Sequence, residues 1–346
     1  MTTIPTGDSR LQRLELWLAG LPGPPVLRMT PASVDASFRR YFRVHRDGGT
    51  QIAMDAPPER ESIDSWLRVA RLLAGTGVNV PGILAVDAGQ GFVLISDLGS
   101  LRYLEALTKG ADPEPLYADA IDAMLCLQAR GTAGAHDLPR YDHGLLRKEM
   151  ELFPEWFIKR HLGLEPGADD RRAIDGAFEW LCDEALLQPV VLVHRDYHSR
   201  NLMVCAGSNP GIIDFQDAVR GPISYDLVSL LKDCYIVWPR ARLLSWLDRY
   251  REGAARMGLD AGRDREEFLR WFDRMGLQRH IKVLGIFARL WYRDGKPGFL
   301  ADLPRVLDYT LAVTSAEPAL APFDDFLRRL VVPAFAAALK RAGMPR

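Results

Sequence analysis

The stretch VVLVHRDYHSRNLMV, residues 190–204, carries an apolar run into His194, Arg195 and Asp196, and Asn201 follows five positions after the aspartate. A second short apolar run, GIID at 211–214, then delivers Asp214. An aspartate, an asparagine and a second aspartate at this spacing fit phosphoryl transfer from a nucleotide. That reaction needs a carboxylate to orient the attacking hydroxyl and accept its proton, the role expected of Asp196. It also needs hard oxygen ligands for Mg2+, which takes few protein groups and shares phosphate oxygens, the role expected of Asn201 and Asp214. No GxxxxGK[ST] occurs, which excludes a Walker-type phosphate loop.

His194, Asp196 and His198 also alternate, and on an extended strand all three would face one side, as the metal ligands of a hydrolase do. Against that reading, the chain has only seven histidines, and no HxH or HExxH supplies a second cluster. The Asp-x4-Asn spacing with an IDF tripeptide after it is the more specific signal.

Positioning these groups requires two short strands set in a helical frame. From 26 to 97 the chain is strand-rich, with runs at 37–44, 51–56, 82–87 and 92–97 set apart by Gly, Pro and Asp. One helix, over 59–74, interrupts them. After Gly99 helical periodicity dominates, at 115–129, 145–162, 171–187, 225–237, 241–257, 265–275, 277–292 and 325–340. The expected class is α+β, a bilobal protein-kinase-like fold with a small antiparallel-sheet N-terminal lobe over 1–98 and a larger, mainly helical C-terminal lobe over 99–346. The cleft would lie between the lobes with 96–100 as hinge, so Asp97 and Leu98 are expected at the nucleotide.

The 44 basic and 45 acidic residues give no global field for nucleic acid or an anionic membrane. Four separated cysteines with no CxxC argue against zinc or a disulfide framework and fit a reducing cytoplasm. No signal-peptide block and no apolar run of spanning length is visible. A cytoplasmic protein, monomeric or weakly homodimeric, acting on a small molecule is expected.

At HRDYHSRN and IDF the sequence resembles the aminoglycoside phosphotransferase and choline kinase superfamily, whose catalytic loop reads HxDxxxxN. LISDLG at 94–99 and GPISYDLVSLL at 221–231 extend the resemblance over nearly the whole chain. The strings DASFRRYFRV, MDAPPE, DFQDAVRGPISYDLVSLLKDCYIVWPR and HIKVLGIFARLWYRDGK are similar to one branch, the anomeric kinases that phosphorylate the C1 hydroxyl of N-acetylmuramate and N-acetylglucosamine in cell-wall recycling. The resemblance implies ATP and Mg2+ as cofactors, an amino sugar as substrate, and His194 and Asp226 as supports of the catalytic loop. A surface or helix-capping carboxylate is the other reading of Asp226.

One departure concerns the nucleotide. The strand that usually carries a phosphate-binding lysine here has Met54 or Asp55. Arg39 or Arg40, with Ser37 in the same loop-like stretch, is the expected replacement, since guanidinium groups bind phosphate oxygens bidentately. For the acceptor, a lactyl carboxylate calls for cations and an aminoglycoside for carboxylates. Arg279 and Lys282, on a helix also carrying His280 and Arg289, favour an anionic or neutral sugar, unless they form a solvated face. His198 and Arg200 lie in the catalytic loop, and Glu151, Asp217 and Trp156 are further substrate candidates, with core packing the alternative for Trp156. Three functions stay open: an amino-sugar anomeric kinase, an aminoglycoside or amino-alcohol kinase, and a non-catalytic nucleotide-binding protein.

Overall fold

The computed structural model describes residues 8–34 and 38–341. Asp8 caps the first helix, α1 (Ser9–Gly20), by accepting the Arg10 and Leu11 amides at 3.0 Å. The strands β1 (Val26–Val34), β2 (Arg40–Arg46) and β3 (Gly49–Asp55) form a meander. Helix α2 (Asp64–Gly75) follows, then β4 (Ile83–Asp87) and β5 (Phe92–Ser96). The sheet is antiparallel, in the order β1-β2-β3-β5-β4. Period-two alternation sorts its residues to two faces. Phe42, Val44, Ala53, Phe92 and Leu94 pack with Leu11, Leu14 and Leu18 of α1 in one cluster. Met54, Val93 and Ile95 face the other way, into a core continuous with the helices.

The remainder is mainly helical: α3 (Tyr103–Thr108), α4 (Pro113–Gly131), α5 (His143–Met150), a wide-turned π-helical segment (Phe153–His161) and α6 (Ala168–Leu186). Four short strands follow, β6 (Val190–Val193), β7 (Leu202–Met203), β8 (Gly211–Ile212) and β9 (Val219–Pro222), pairing as β6 with β9 and β7 with β8. Then come α7 (Tyr225–Leu231), α8 (Arg240–Arg256), α9 (Arg265–Tyr292), a 3-10 turn (Pro297–Asp302), α10 (Leu303–Thr314), α11 (Ala321–Phe326) and α12 (Val332–Arg341). No helix among the described residues is long and apolar enough to cross a membrane.

The runs read at 51–56, 82–87, 92–97, 190–194 and 211–214 contain strands, but β7 and β9 pair with the two short strands expected after Gly99 and were not expected themselves; other differences have local causes. The stretch 145–162, expected as one helix, divides before Pro154. The runs 265–275 and 277–292 are one 28-residue helix, α9, with Gly276 inside it. A side chain there would meet Lys232, whose Cδ and Nζ lie 3.3 Å from the position a Cβ would take. Helix α7 stops at Leu231, short of 237, where the chain turns to bring Asp233 to the catalytic loop. Ser37 lies outside the described residues.

Helix α9 crosses the 150–161 segment at backbone contact. A Cβ on Gly285 would lie 2.3 Å from the Leu152 carbonyl carbon and 2.5 Å from its oxygen. Gly285→Ala is therefore expected to lower stability by about 1–3 kcal/mol, the cost of overpacking against backbone that cannot yield. Urea unfolding with an unchanged midpoint would show that the crossing relaxes freely.

Candidate active site

Strand β6 ends at Val193, and the next two residues enter a tight turn in which Arg195 takes φ 77°. A non-glycine residue there needs external support. Asp226, fully buried on α7, supplies it by accepting the His194 amide at 2.7 Å and the Arg195 amide at 3.0 Å. Burial raises the pKa of Asp226, and the adjacent His194 and the two amides only partly offset that. The His194 ring joins the two strand pairs. Its Nδ1 accepts the Asp196 amide at 3.2 Å, which leaves Nε2–H to donate to the Ile213 carbonyl at 3.1 Å. Burial lowers its pKa, in keeping with that neutral tautomer.

The β7–β8 pairing sets Asn201 beside Asp214, with the Ile213 amide donating to the Asn201 carbonyl at 3.1 Å. Asp214 also takes a positive φ, 64°. The Asn201 Nδ2 donates to the Asp196 carbonyl at 3.1 Å and to Asp214 Oδ2 at 3.2 Å, which leaves the amide oxygen for a cation. Gln216 donates to Asp214 Oδ1 at 3.0 Å. An amide oxygen and a carboxylate are the hard donors Mg2+ takes, and among the described residues no group of three or more His, Cys, Asp and Glu competes for it.

Asp196 opens onto a cleft of about 810 Å³ between the inner sheet face and the helices. Beneath it lies a layer of buried charge. Arg279 donates to the Arg195 carbonyl at 2.9 Å and the Tyr225 hydroxyl at 3.1 Å, and its Nη2 lies 3.8 Å from Asp196 Oδ1. Lys282 donates to Glu149 at 2.9 Å and Tyr225 at 3.0 Å, and Arg195 and Tyr141 also bond Glu149. Burial alone would raise the pKa of Asp196, but Lys282 and Arg279 together outweigh it and hold the carboxyl well below the usual range.

Of the residues singled out in the sequence, Asp196, Asn201, Asp214, Asp97, Leu98, His198, Arg200, Arg279 and Lys282 line the cleft. His194 and Asp226 lie behind the loop and hold it. Arg39 and Asp217 line a separate cavity of about 150 Å³ next to the Asp214 loop, where Arg39 pairs with Glu61 at 3.1 Å.

Two expectations are corrected by geometry. Arg40 shares its face of β2 with Phe42, on the α1 side of the sheet, and is held by Asp8 and Asp55. The β2 cation on the cleft side is Arg43, bonded to Asp97 at 2.6 Å. Glu151 is exposed and pairs with Arg147 at 2.6 Å. The buried glutamate is Glu149, which shares a helical stripe with Leu146 and Met150. Trp156 is partly buried against the core. Sequence reasoning missed Arg43, Glu149, Gln216, Tyr225 and Asp233. For Glu149 the signal was an acid on an apolar stripe, and for Arg43 a cation alternating with Phe42 and Val44.

Residues 28–269 match the family model described as "Phosphotransferase enzyme family". The chain is 43% identical over 333 residues to the N-acetylmuramate/N-acetylglucosamine kinase of Pseudomonas aeruginosa, covering 93% of this chain and 97% of that one. It is 42% identical to the enzyme of the same name from Neisseria meningitidis, covering 92% and 95%. Among solved structures, a choline/ethanolamine kinase family protein from Mesorhizobium loti aligns with a TM-score of 0.60 at 15% identity, covering 92% of this chain and 99% of that one. An ADP-bound aminoglycoside phosphotransferase aligns at 0.58 and 14%, covering 89% and 99%. These structures share the kinase-like fold.

Glu149 gives the site a pH signature. Burial raises its pKa, but Lys282 and Arg195 outweigh that and hold it below the ordinary 4.5. The stability it contributes is therefore complete above about pH 4.5 and is lost as the pH falls through the lower folded value. Urea unfolding on either side of that range is expected to show stability falling less steeply with acid in Glu149→Gln than in the wild type. Equal slopes would mean that Glu149 is not ionised in the fold.

Proposed function

The chain belongs to the phosphotransferase enzyme family and is a small-molecule kinase with a hydroxyl acceptor; from that premise we propose that it moves the terminal phosphoryl group of ATP to the C1 hydroxyl of N-acetylmuramate or N-acetylglucosamine, in the recycling of cell-wall sugars. The observation that carries the chemistry is that Asp196 faces the cleft, ionised, with Asn201 and Asp214 beside it. The named activity of relatives at 43% identity supports the choice of sugar.

The acceptor hydroxyl donates to the Asp196 carboxylate, which aligns its oxygen with the phosphorus. With the nearby cations lowering its proton affinity, Asp196 is a weak base and acts mainly by orientation until late in transfer. An anomeric hydroxyl, more acidic than an ordinary alcohol, suits such a base. Asn201 and Asp214 would hold Mg2+, which when bound would neutralise the charge developing on the phosphates. At the hinge, Asp97 is committed to Arg43 and to the Gly99 amide at 2.9 Å, so the backbone there is left to meet the base of the nucleotide. Met54 is packed in the core and Asp55 is fully buried against Arg10 and Arg40, so neither reaches a phosphate. Arg39, beside Gln216 and Asp217 of the metal loop, is the cation we assign to the phosphates.

The cations Arg200, Arg279 and Lys282 on the acceptor side weigh against a polycationic aminoglycoside. The test is ADP release with Mg-ATP and a panel of N-acetylmuramate, N-acetylglucosamine, glucosamine, choline and kanamycin, with the product examined by phosphorus NMR. A C1 phosphate on either N-acetyl sugar is expected, and turnover of kanamycin or choline alone would replace the substrate assignment. Asp196→Asn should keep ATP binding and lose about two to four orders of magnitude in turnover. Near-normal turnover in that variant would remove Asp196 from the chemistry.

A further inference from the structure

Arg200 is a cleft cation whose charge no neighbouring carboxylate answers. Arg43 faces Asp97, Arg279 faces Asp196, and Lys282 faces Glu149. Among the described residues no carboxylate lies within ion-pairing distance of Arg200, although its side chain is half-buried in the cleft wall. One acid, Asp302, contributes to the field around it and is engaged elsewhere, as is Asp233, which fixes the neighbouring Ser199. Asp302 pairs with Arg305 at 2.9 Å, and Asp233 accepts from the Ser199 amide and hydroxyl and the Tyr235 amide.

The direction in which Arg200 points is set by its neighbours in the chain. Ser199 is fixed by Asp233, and the Asn201 amide turns toward Asp214 and the metal side. Arg200 instead lies with its guanidinium carbon 4.5 Å from the Tyr235 ring centroid and 5.2 Å from that of Phe299. Both rings pack on Phe287, and the three line the cleft together. Aromatic contact desolvates the guanidinium and holds its plane, so an edge with two parallel N–H donors suits a carboxylate.

We propose that Arg200, held over Tyr235 and Phe299, determines specificity for a carboxylate on the acceptor sugar and receives the lactyl carboxylate of N-acetylmuramate. The inference rests on the amino-sugar kinase reading above. N-acetylglucosamine lacks that group, so the contact adds affinity for one sugar of the pair.

The test measures kcat and KM on both sugars for the wild-type chain, Arg200→Gln and Arg200→Lys, with the methyl ester of N-acetylmuramate as a third acceptor. In Arg200→Gln the kcat/KM ratio of N-acetylmuramate to N-acetylglucosamine is expected to fall about ten- to a hundredfold, mainly through KM. Arg200→Lys should recover part of the loss. The wild type should discriminate against the ester to a similar degree, and Arg200→Gln should not distinguish acid from ester. If both sugars lose equally in Arg200→Gln, or the wild type uses ester and acid equally well, the assignment of Arg200 is overturned while the kinase reading stands. The ester result needs no variant and holds even if the substitutions unfold the chain. Failure of the wild type to phosphorylate either sugar would overturn the functional reading and this inference with it.

Discussion

One buried carboxylate holds the catalytic loop in its working shape. Asp226 sits at the start of α7 with no exposed surface, and its two oxygens take the successive amides of His194 and Arg195. Strand pairing cannot satisfy those amides, because the chain leaves β6 there and Arg195 enters the left-handed region at φ 77°. Such a conformation costs on the order of 1–3 kcal/mol unless the surroundings fix it. Asp226 therefore stabilises a backbone that the local sequence would not adopt, and Asp196 points into the cleft because of that turn. His194 extends the constraint through the Asp196 amide and the Ile213 carbonyl, which ties Asp196 to the segment that leads into Asp214.

The turn also decides where charge goes. It sends the Arg195 side chain inward to Glu149, and Glu149 in turn holds Lys282. Each buried charge thus has an opposite neighbour, which is what makes such a layer tolerable in a low-dielectric interior. Asp196 differs in having its best-placed cation, Arg279, at 3.8 Å, with its carboxylate open to the cleft. Arg279 and Lys282 keep that carboxylate ionised without forming a close ion pair with it, so its oxygens remain available to a substrate hydroxyl.

Legibility in the sequence followed the range of the interactions. The proposed catalytic aspartate, the proposed metal pair and the brace lie within 33 residues, between His194 and Asp226, and their types and spacing were readable because the chemistry leaves few substitutes. The longer strands were likewise visible from alternation or apolar runs, whereas β7 and β9, two and four residues long, were too short to read. Facing was harder: Arg39 and Arg40 are adjacent, and only the β2–β3 register, pairing Arg40 with Asp55 and Arg43 with Ile52, shows which arginine turns toward α1 and which toward the cleft. The choice of Glu151 over Glu149 failed for the same reason, since the helix phase was set by Leu146 and Met150 and not by proximity to aromatic residues. Gly276 read as a break because glycine disfavours an isolated helix, whereas here the fully buried Phe272 and Leu277 flank it and hold α9 continuous.

That continuity shapes how the two halves of the cleft can change. Arg279 and Lys282 are three residues apart on one face of α9, directly beneath Asp196, and Phe287 stands further along the same helix at the acceptor wall. A shift of α9 that adjusted the wall would also shift the charges beneath Asp196, and Gly285, in backbone contact with Leu152, leaves little room for one. Tyr235, after the end of α7, and Phe299, in the 3-10 turn after α9, share in that coupling, because both rings pack on Phe287, with centroids 6.0 and 5.2 Å from its own. The aromatic wall, the arginine it holds and the charge layer beneath Asp196 are therefore tied to one helix, while the turn at Arg195 is held separately by Asp226 on α7.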